Sequence, residues 1–177
     1  MHHLSHLPPF DDDDLLNVII ETPKGSRNKF TFDPAGGFFM LGGVLPSGAV
    51  FPYDFGFVPG TLGEDGDPLD VLLLMDEPAF PGCVVKARLL GVIEAEQEEK
   101  DGAVQRNDRL IAVAKKSHVH AELESLDDLS ERLLDEIEHF FTSYNDMKGR
   151  AFTPVRRGGP KRARRLVKES ARSGGSA

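Results

Sequence analysis

The stretch Asp65-Gly66-Asp67-Pro68-Leu69-Asp70 runs without a break into Val71-Leu72-Leu73-Leu74. Four apolar residues bounded by turn residues read as a short buried strand, which places three carboxylates on a rigid edge of the core. Anions this close raise one another's pKa unless something positive sits between them. A divalent cation removes that penalty, and oxygen ligands with no Cys or His pair beside them favour Mg2+, Mn2+ or Ca2+ over zinc. Asp, Gly and Pro also follow one another in turns for local reasons alone, so a plain turn between strands stays open on these residues. A calcium EF-hand does not fit. Asp70 stands where that loop needs Gly, and a strand-like run follows where a helix should continue.

At 177 residues the chain suits a single domain, 1–177, with flexible ends expected at 1–14 and 173–177. Its aromatic residues are nearly all Phe, with two Tyr and no Trp, and its 18 Gly and 12 Pro suit short strands and many turns better than a helical bundle. Cys83, the single cysteine, allows no internal disulfide and is expected to pack as a small hydrophobe. No apolar run nears the roughly 18 residues of a transmembrane helix, and the amino end lacks the basic start and apolar core of a secretory signal. Cytoplasmic residence and no membrane partner are the expectations. His2, His3 and His6 read as a solvated terminus, because nothing nearby would hold them as ligands. The net charge of −8 is uneven: Arg150 to Ala177 carries nine Lys or Arg against one Glu, leaving −16 on the rest. An acidic body argues against nucleic acid, and the basic tail lacks interleaved aromatic residues.

Leu15 to Thr22 has the β-branched centre of a first strand, and Asp11 to Asp14 before it form a charge run expected in solvent. Lys29 to Phe32 alternates polar and aromatic residues as one arm of a hairpin, with Phe38 to Leu41 as a further strand. Val50 to Phe57 leads into the acidic turn. Val71 to Leu74, Cys83 to Ile93 and Leu110 to Val113 read as strands, with a polar loop from Glu94 to Asp108. Many short strands with turn punctuation predict an α+β, mainly β fold, a small closed barrel. Leu129, Leu133, Ile137, Phe140 and Tyr144 make an apolar helical stripe, Ser125 and Asp128 resemble a capping box, and Pro160 opens a basic helix with Ala163, Leu166 and Val167 inward.

Taken together, Val18-Ile19-Ile20-Glu21-Thr22-Pro23, Lys29-Phe30, Phe51 to Phe57, the Asp65 to Asp70 signature, Leu110-Ile111-Ala112-Val113 and His139 to Tyr144 resemble the soluble family I inorganic pyrophosphatases, in divergent form. The likeness runs from about Val18 to Met147. It implies an oligonucleotide-binding-like (OB-like) closed β-barrel with two or three flanking helices, and Mg2+-dependent (or Mn2+-dependent) hydrolysis of pyrophosphate to two phosphates. It implies also a homo-oligomer, often a hexamer in bacterial members. Carried over, Asp65 and Asp70 bind metal, and Asp67 is the catalytic base toward the attacking water. Lys29 and Tyr144 reach phosphate oxygens, and Glu21 holds metal-bound water or a neighbouring lysine.

The departures from the family pattern are specific. Thr31 replaces a second Glu, Gly43 an Arg, and Phe51 and Phe55 two tyrosines, with Tyr53 offering a partial substitute as a donor to substrate. In the second metal-binding loop the family's Asp, Asp and Lys fall on Gln97, Asn107 and Arg109, which makes Asn107 a metal ligand and Arg109 a substrate-binding cation. Glu98, Glu99, Asp101 and Asp108 are nearby anions; Asp108 is the preferred further metal ligand by position, provided the segment bends, because an offset of one residue points a side chain to the opposite face of a strand. Asn145 stands where the family has a Lys. Arg150, Arg156 and Arg157 are expected to fold back and supply the missing phosphate-binding charge. Two alternatives accompany pyrophosphate hydrolysis: a hydrolase of another phosphoanhydride, with Gly43, Phe51 and Phe55 making a roomier pocket, and a catalytically silent metal-binding or assembly relative.

Overall fold

The computed structural model describes residues 4–174. In chain order its elements are β1 (Leu16–Thr22), β2 (Asn28–Asp33), β3 (Phe38–Val44), β4 (Asp54–Phe57), β5 (Asp70–Leu74), β6 (Val84–Glu98), β7 (Val104–Arg106), β8 (Arg109–Ala114), α1 (Glu131–Asp146), β9 (Ala151–Gly158) and α2 (Pro160–Gly174). Strands β1, β4, β5, β8 and β6 are neighbours in that order, and β6 pairs back onto β1, so the sheet closes into a ring. Within the ring only β5 and β8 run parallel. β2 and β3 form a separate hairpin sheet. The architecture is the mainly β, OB-like one expected, with two α-helices among the described residues.

The uninterrupted Val71 to Leu74 run follows from burial on both faces of the sheet. Leu72 and Leu74 join the core that holds Leu134, Ile137 and Phe141 of α1, whereas Val71 and Leu73 join the core that holds Ala163 and Val167 of α2. The inward face expected of the basic helix is therefore present, and Cys83 packs partly buried against the same core. On α1 the buried stripe is Leu134, Ile137, Phe141 and Tyr144, with Leu129, Leu133 and Phe140 flanking it. The Ser125–Asp128 capping box forms, but around a single 3-10 turn. α1 starts later, where the Ser130 side chain accepts from the Leu133 N–H at 3.2 Å.

Two readings are corrected. The expected polar loop 94–108 is a hairpin: β6 runs on to Glu98 and returns as β7. Glu94 sits wholly buried within it because arginines meet its charge, which a composition-based reading takes as a sign of solvent. The Arg150 to Pro160 segment is mostly strand β9, paired along β6 from Val92 to Glu98. Asp12 to Asp14 face solvent as expected. Just before them, the backbone oxygens of Pro9 and Pro8 accept from Asn17 at 2.8 and 2.7 Å. His2 and His3 lie outside the described residues.

The approach of β4 to β1 depends on Gly56. A Cβ there would sit 2.0 Å from the backbone oxygen of Ile19. Gly56→Ala therefore forces two ring strands apart, and a loss of about 1 to 3 kcal/mol is expected in urea unfolding.

Candidate active site

The parallel register of β5 and β8 sets Asp70 beside Arg109, each at the first position of its strand. The Arg109 Nη1 donates to Asp70 Oδ2 at 2.6 Å and also to Asn107 Oδ1. Its guanidinium is 3% exposed and lies over the rings of Phe141 and Phe152, 5.0 and 5.2 Å from their centroids. Burial pushes the Asp70 carboxyl up to about 6, against the pull of Arg109 and Lys29. Before Asp70 the chain makes a tight turn: Gly66 takes φ +86°, Gly63 N donates to Asp67 O at 2.8 Å, and Asp67 N donates to Asp65 Oδ1 at 3.1 Å. Partial burial also raises the Asp65 carboxyl. Thr61 pins the turn's far end by accepting from Leu69 N at 3.0 Å.

These residues form one wall of a cleft of about 460 Å³. Glu21 and Lys29 face it from β1 and β2, paired at 2.9 Å, and Glu21 also accepts from Phe32 N at 2.8 Å, which ties the hairpin to the ring. Lys29 lies 4.7 Å from the centroid of Phe55, so the ring that lacks a tyrosine hydroxyl still carries this cation. Tyr144, Lys148 and Arg150 line the opposite side. The Tyr144 ring stacks on Phe140, at 5.9 Å, and burial pushes its hydroxyl up to about 12.

Most residues singled out from the sequence meet here: Glu21, Lys29, Asp65, Asp67, Asp70, Asn107, Arg109 and Tyr144. Four do not. Asp108, between β7 and β8, does not line the cleft: its carboxylate accepts from Ala95 N at 2.9 Å and from Arg106 at 2.7 Å. The carboxylate that the 94–108 hairpin does send into the cleft is Glu99, which accepts from Gln97 Nε2 at 2.5 Å and pairs with Arg150 at 2.9 Å. Arg156 binds buried Glu94, and Arg157 binds Glu131, Asp135 and Glu138, so neither reaches the cleft. Tyr53 packs against the α1 core under Lys24. Of the three substitutions expected to make the pocket roomier, Phe51 is wholly buried and Gly43 lies on β3 away from the cleft lining, whereas Phe55 does line the cleft. Lys148 was missed; its place four residues after Tyr144, one helical turn along the same face, is the signal that points to it.

The donor set is of carboxylates and amide oxygens, the chemistry of a hard cation. Among the described residues, however, no three acidic, imidazole or thiol groups converge as a ready cage. Asp65 is engaged by its own turn and Asp70 by Arg109, whereas among the described residues no hydrogen bond or ion pair holds the Asp67 carboxylate. Two buried side-chain atoms of the cleft residues lack a partner among the described residues, Arg109 Nε and the Tyr144 hydroxyl. Leaving such donors unpaired costs about 1 to 3 kcal/mol each, and a polar group in the cleft would satisfy them.

Comparison with known proteins places the chain in a family. The family model described as inorganic pyrophosphatase matches residues 18–174. The inorganic pyrophosphatase of Synechocystis sp. is 43% identical over 145 residues, covering 82% of this chain and 83% of the relative. The inorganic pyrophosphatase crystal structure from Thermus thermophilus superposes with a TM-score of 0.89 at 32% identity, covering 99% of this chain and 100% of that one. That of Helicobacter pylori gives 0.86 at 34% identity, covering 97% and 99%. With a match that spans the ring, the acidic turn, α1 and α2 alike, the chain belongs to the inorganic pyrophosphatase family.

Proposed function

We propose that this chain hydrolyses inorganic pyrophosphate to two phosphates, with Asp67 as the base. The observation that carries the reading is the division of labour among the three carboxylates of the turn. Asp65 and Asp70 are engaged, and Asp67 is exposed at the cleft with its oxygens free to accept a proton. As a water oxygen attacks phosphorus, its proton passes to Asp67 and the bridging P–O bond breaks. Lys29 and Arg109 hold phosphoryl oxygens by charge, and the Tyr144 hydroxyl donates to one of them.

Inorganic pyrophosphatases are metal-dependent, and Mg2+ is the cation we assign to this site, with Asp65 and Asp70 as its holders. When bound there, Mg2+ screens the anhydride's charge and acidifies water. To accept it, Asp70 has to turn from Arg109, and Asn107 is the hairpin's remaining oxygen donor at that point. A homo-oligomer and cytoplasmic residence belong to the same proposal, and sedimentation of the purified chain tests the first. No helix among the described residues is long and apolar enough to cross a membrane.

Phosphate release from magnesium pyrophosphate by the purified chain tests the reading, beside a panel of nucleoside diphosphates. Release only from the nucleotides would transfer the reading to another phosphoanhydride. No release from any substrate would leave a silent relative. A second measurement follows from Asp70. Its carboxyl is raised in the folded state, so the unfolded chain gives up its proton first. Stability of the metal-free chain should therefore fall as pH rises from about 4 to about 6. Thermal unfolding in chelator should show that fall, and Mg2+ should reverse it.

A further inference from the structure

We infer that Lys148 and the Tyr144 hydroxyl together form a subsite for one phosphoryl group of the substrate, in place of the residue directly after the tyrosine. The inference rests on the pyrophosphate reading and adds to it a residue that has no role there. Position 145, where the family carries a lysine, cannot serve: Asn145 is 2% exposed and its Nδ2 donates to Phe141 O at 2.8 Å. One turn further on, α1 has ended at Asp146, and Lys148 places its Nζ 4.3 Å from the centroid of the Tyr144 ring.

The helix terminus sets that position. Gly149 takes φ +73° and donates to Asp146 O at 2.9 Å, and Arg150 N returns to Asn145 O at 3.1 Å, which turns the chain into β9. Lys148 is thereby held at the cleft wall.

Each of the other cleft cations is already engaged by a carboxylate: Lys29 by Glu21, Arg109 by Asp70 and Arg150 by Glu99. Lys148 has no carboxylate partner among the described residues. The surrounding protein, then the like charges of Lys29, Arg150 and Arg109, hold its ammonium below the ordinary lysine value. An anion in the cleft relieves both effects. The second, independent observation is the Tyr144 hydroxyl, on a residue 7% exposed and with no partner among the described residues. One tetrahedral phosphoryl group offers oxygens to both donors, and an ammonium over a phenol ring is placed to share it.

The test uses imidodiphosphate, a pyrophosphate analogue with a nitrogen bridge, titrated calorimetrically into the full chain in Mg2+. Lys148→Gln is expected to weaken binding about ten- to hundredfold, the worth of one charge-assisted hydrogen bond. Mg2+ affinity without the analogue and the unfolding midpoint should stay unchanged. Lys148→Arg should recover most of the loss. Tyr144→Phe should weaken binding too, and the double variant should lose less than the product of the single losses, because both act on one group. Unchanged analogue binding by Lys148→Gln overturns the inference while leaving hydrolysis untouched. A wild-type chain that binds the analogue through Lys148 yet releases no phosphate overturns the hydrolytic reading instead. A wild-type chain that does not bind it overturns both.

Discussion

Asp67→Asn is expected to lower phosphate release from magnesium pyrophosphate by about 10²- to 10⁴-fold, the usual worth of a positioned general base. The substitution keeps the side chain's size, and because Asp67 sits exposed at the turn with its carboxylate unbonded, it disturbs no contact. The turn itself depends on Asp67 backbone atoms, which accept from Gly63 N and donate to Asp65 Oδ1. Unfolding midpoints of the variant and the parent should therefore agree. In a steady-state assay the loss should fall on kcat rather than on KM, since the proton leaves water only as the transition state forms. A variant with the parent's kcat would remove Asp67 from the role of base.

Glu94→Ala should produce the largest loss of stability. Its carboxylate, with no exposure, accepts from Arg106 at 2.9 Å, from Arg162 at 2.6 Å and from Arg156, which joins β6, β7, β9 and α2 at one point. Burial alone would raise this carboxyl, but the hydrogen bonds from Arg162, Arg156 and Arg106 outweigh it and hold it at about 2. Removing the anion leaves like charges facing one another where β9 meets α2, and a loss of about 3 to 5 kcal/mol is expected. Because the folded value lies below the unfolded one, this contribution is full above about pH 4.5 and disappears as pH falls toward 2. Denaturant titrations should show a large parent-minus-variant difference at pH 7 and a small one near pH 2. A difference independent of pH would mean that packing, and not charge, holds this junction.

The two groups titrate in opposite senses. Glu94 stabilises the chain once ionised, whereas ionised Asp70 opposes folding even with Arg109 beside it, until a cation balances its charge. Structural and site carboxylates in one sheet thus differ by the number of donors each is given. Glu94 has three arginines, and Asp70 shares one guanidinium with Asn107.

What could be read from residues alone was whatever depends on near neighbours in the chain. The turn Asp65 to Asp70, the buried run behind it, the apolar face of α1 and the inward face of α2 are local patterns, set by the periods of strand and helix. The ordered motifs around them were enough for the family. Arg156 and Arg157 looked like free cations because their carboxylate partners, Glu94 and residues 131 to 138, lie 19 or more positions away. The hairpin 94–108 looked like a loop because two of the arginines that meet its buried Glu94 come from β9 and α2, which no local window contains.

Sequence by itself determined that this chain carries a row of carboxylates at the start of a core strand, and which family's chemistry that row belongs to. Only tertiary structure decided which charged groups share the cleft. The parallel register of β5 and β8 gives Asp70 to Arg109, the hairpin of β6 and β7 puts Glu99 at the cleft and not Asp108, and the end of α1 brings Lys148 over Tyr144. The physical reason is that a side chain's neighbours across a sheet or past a helix end are chosen by pairing and register, which link residues far apart in the chain.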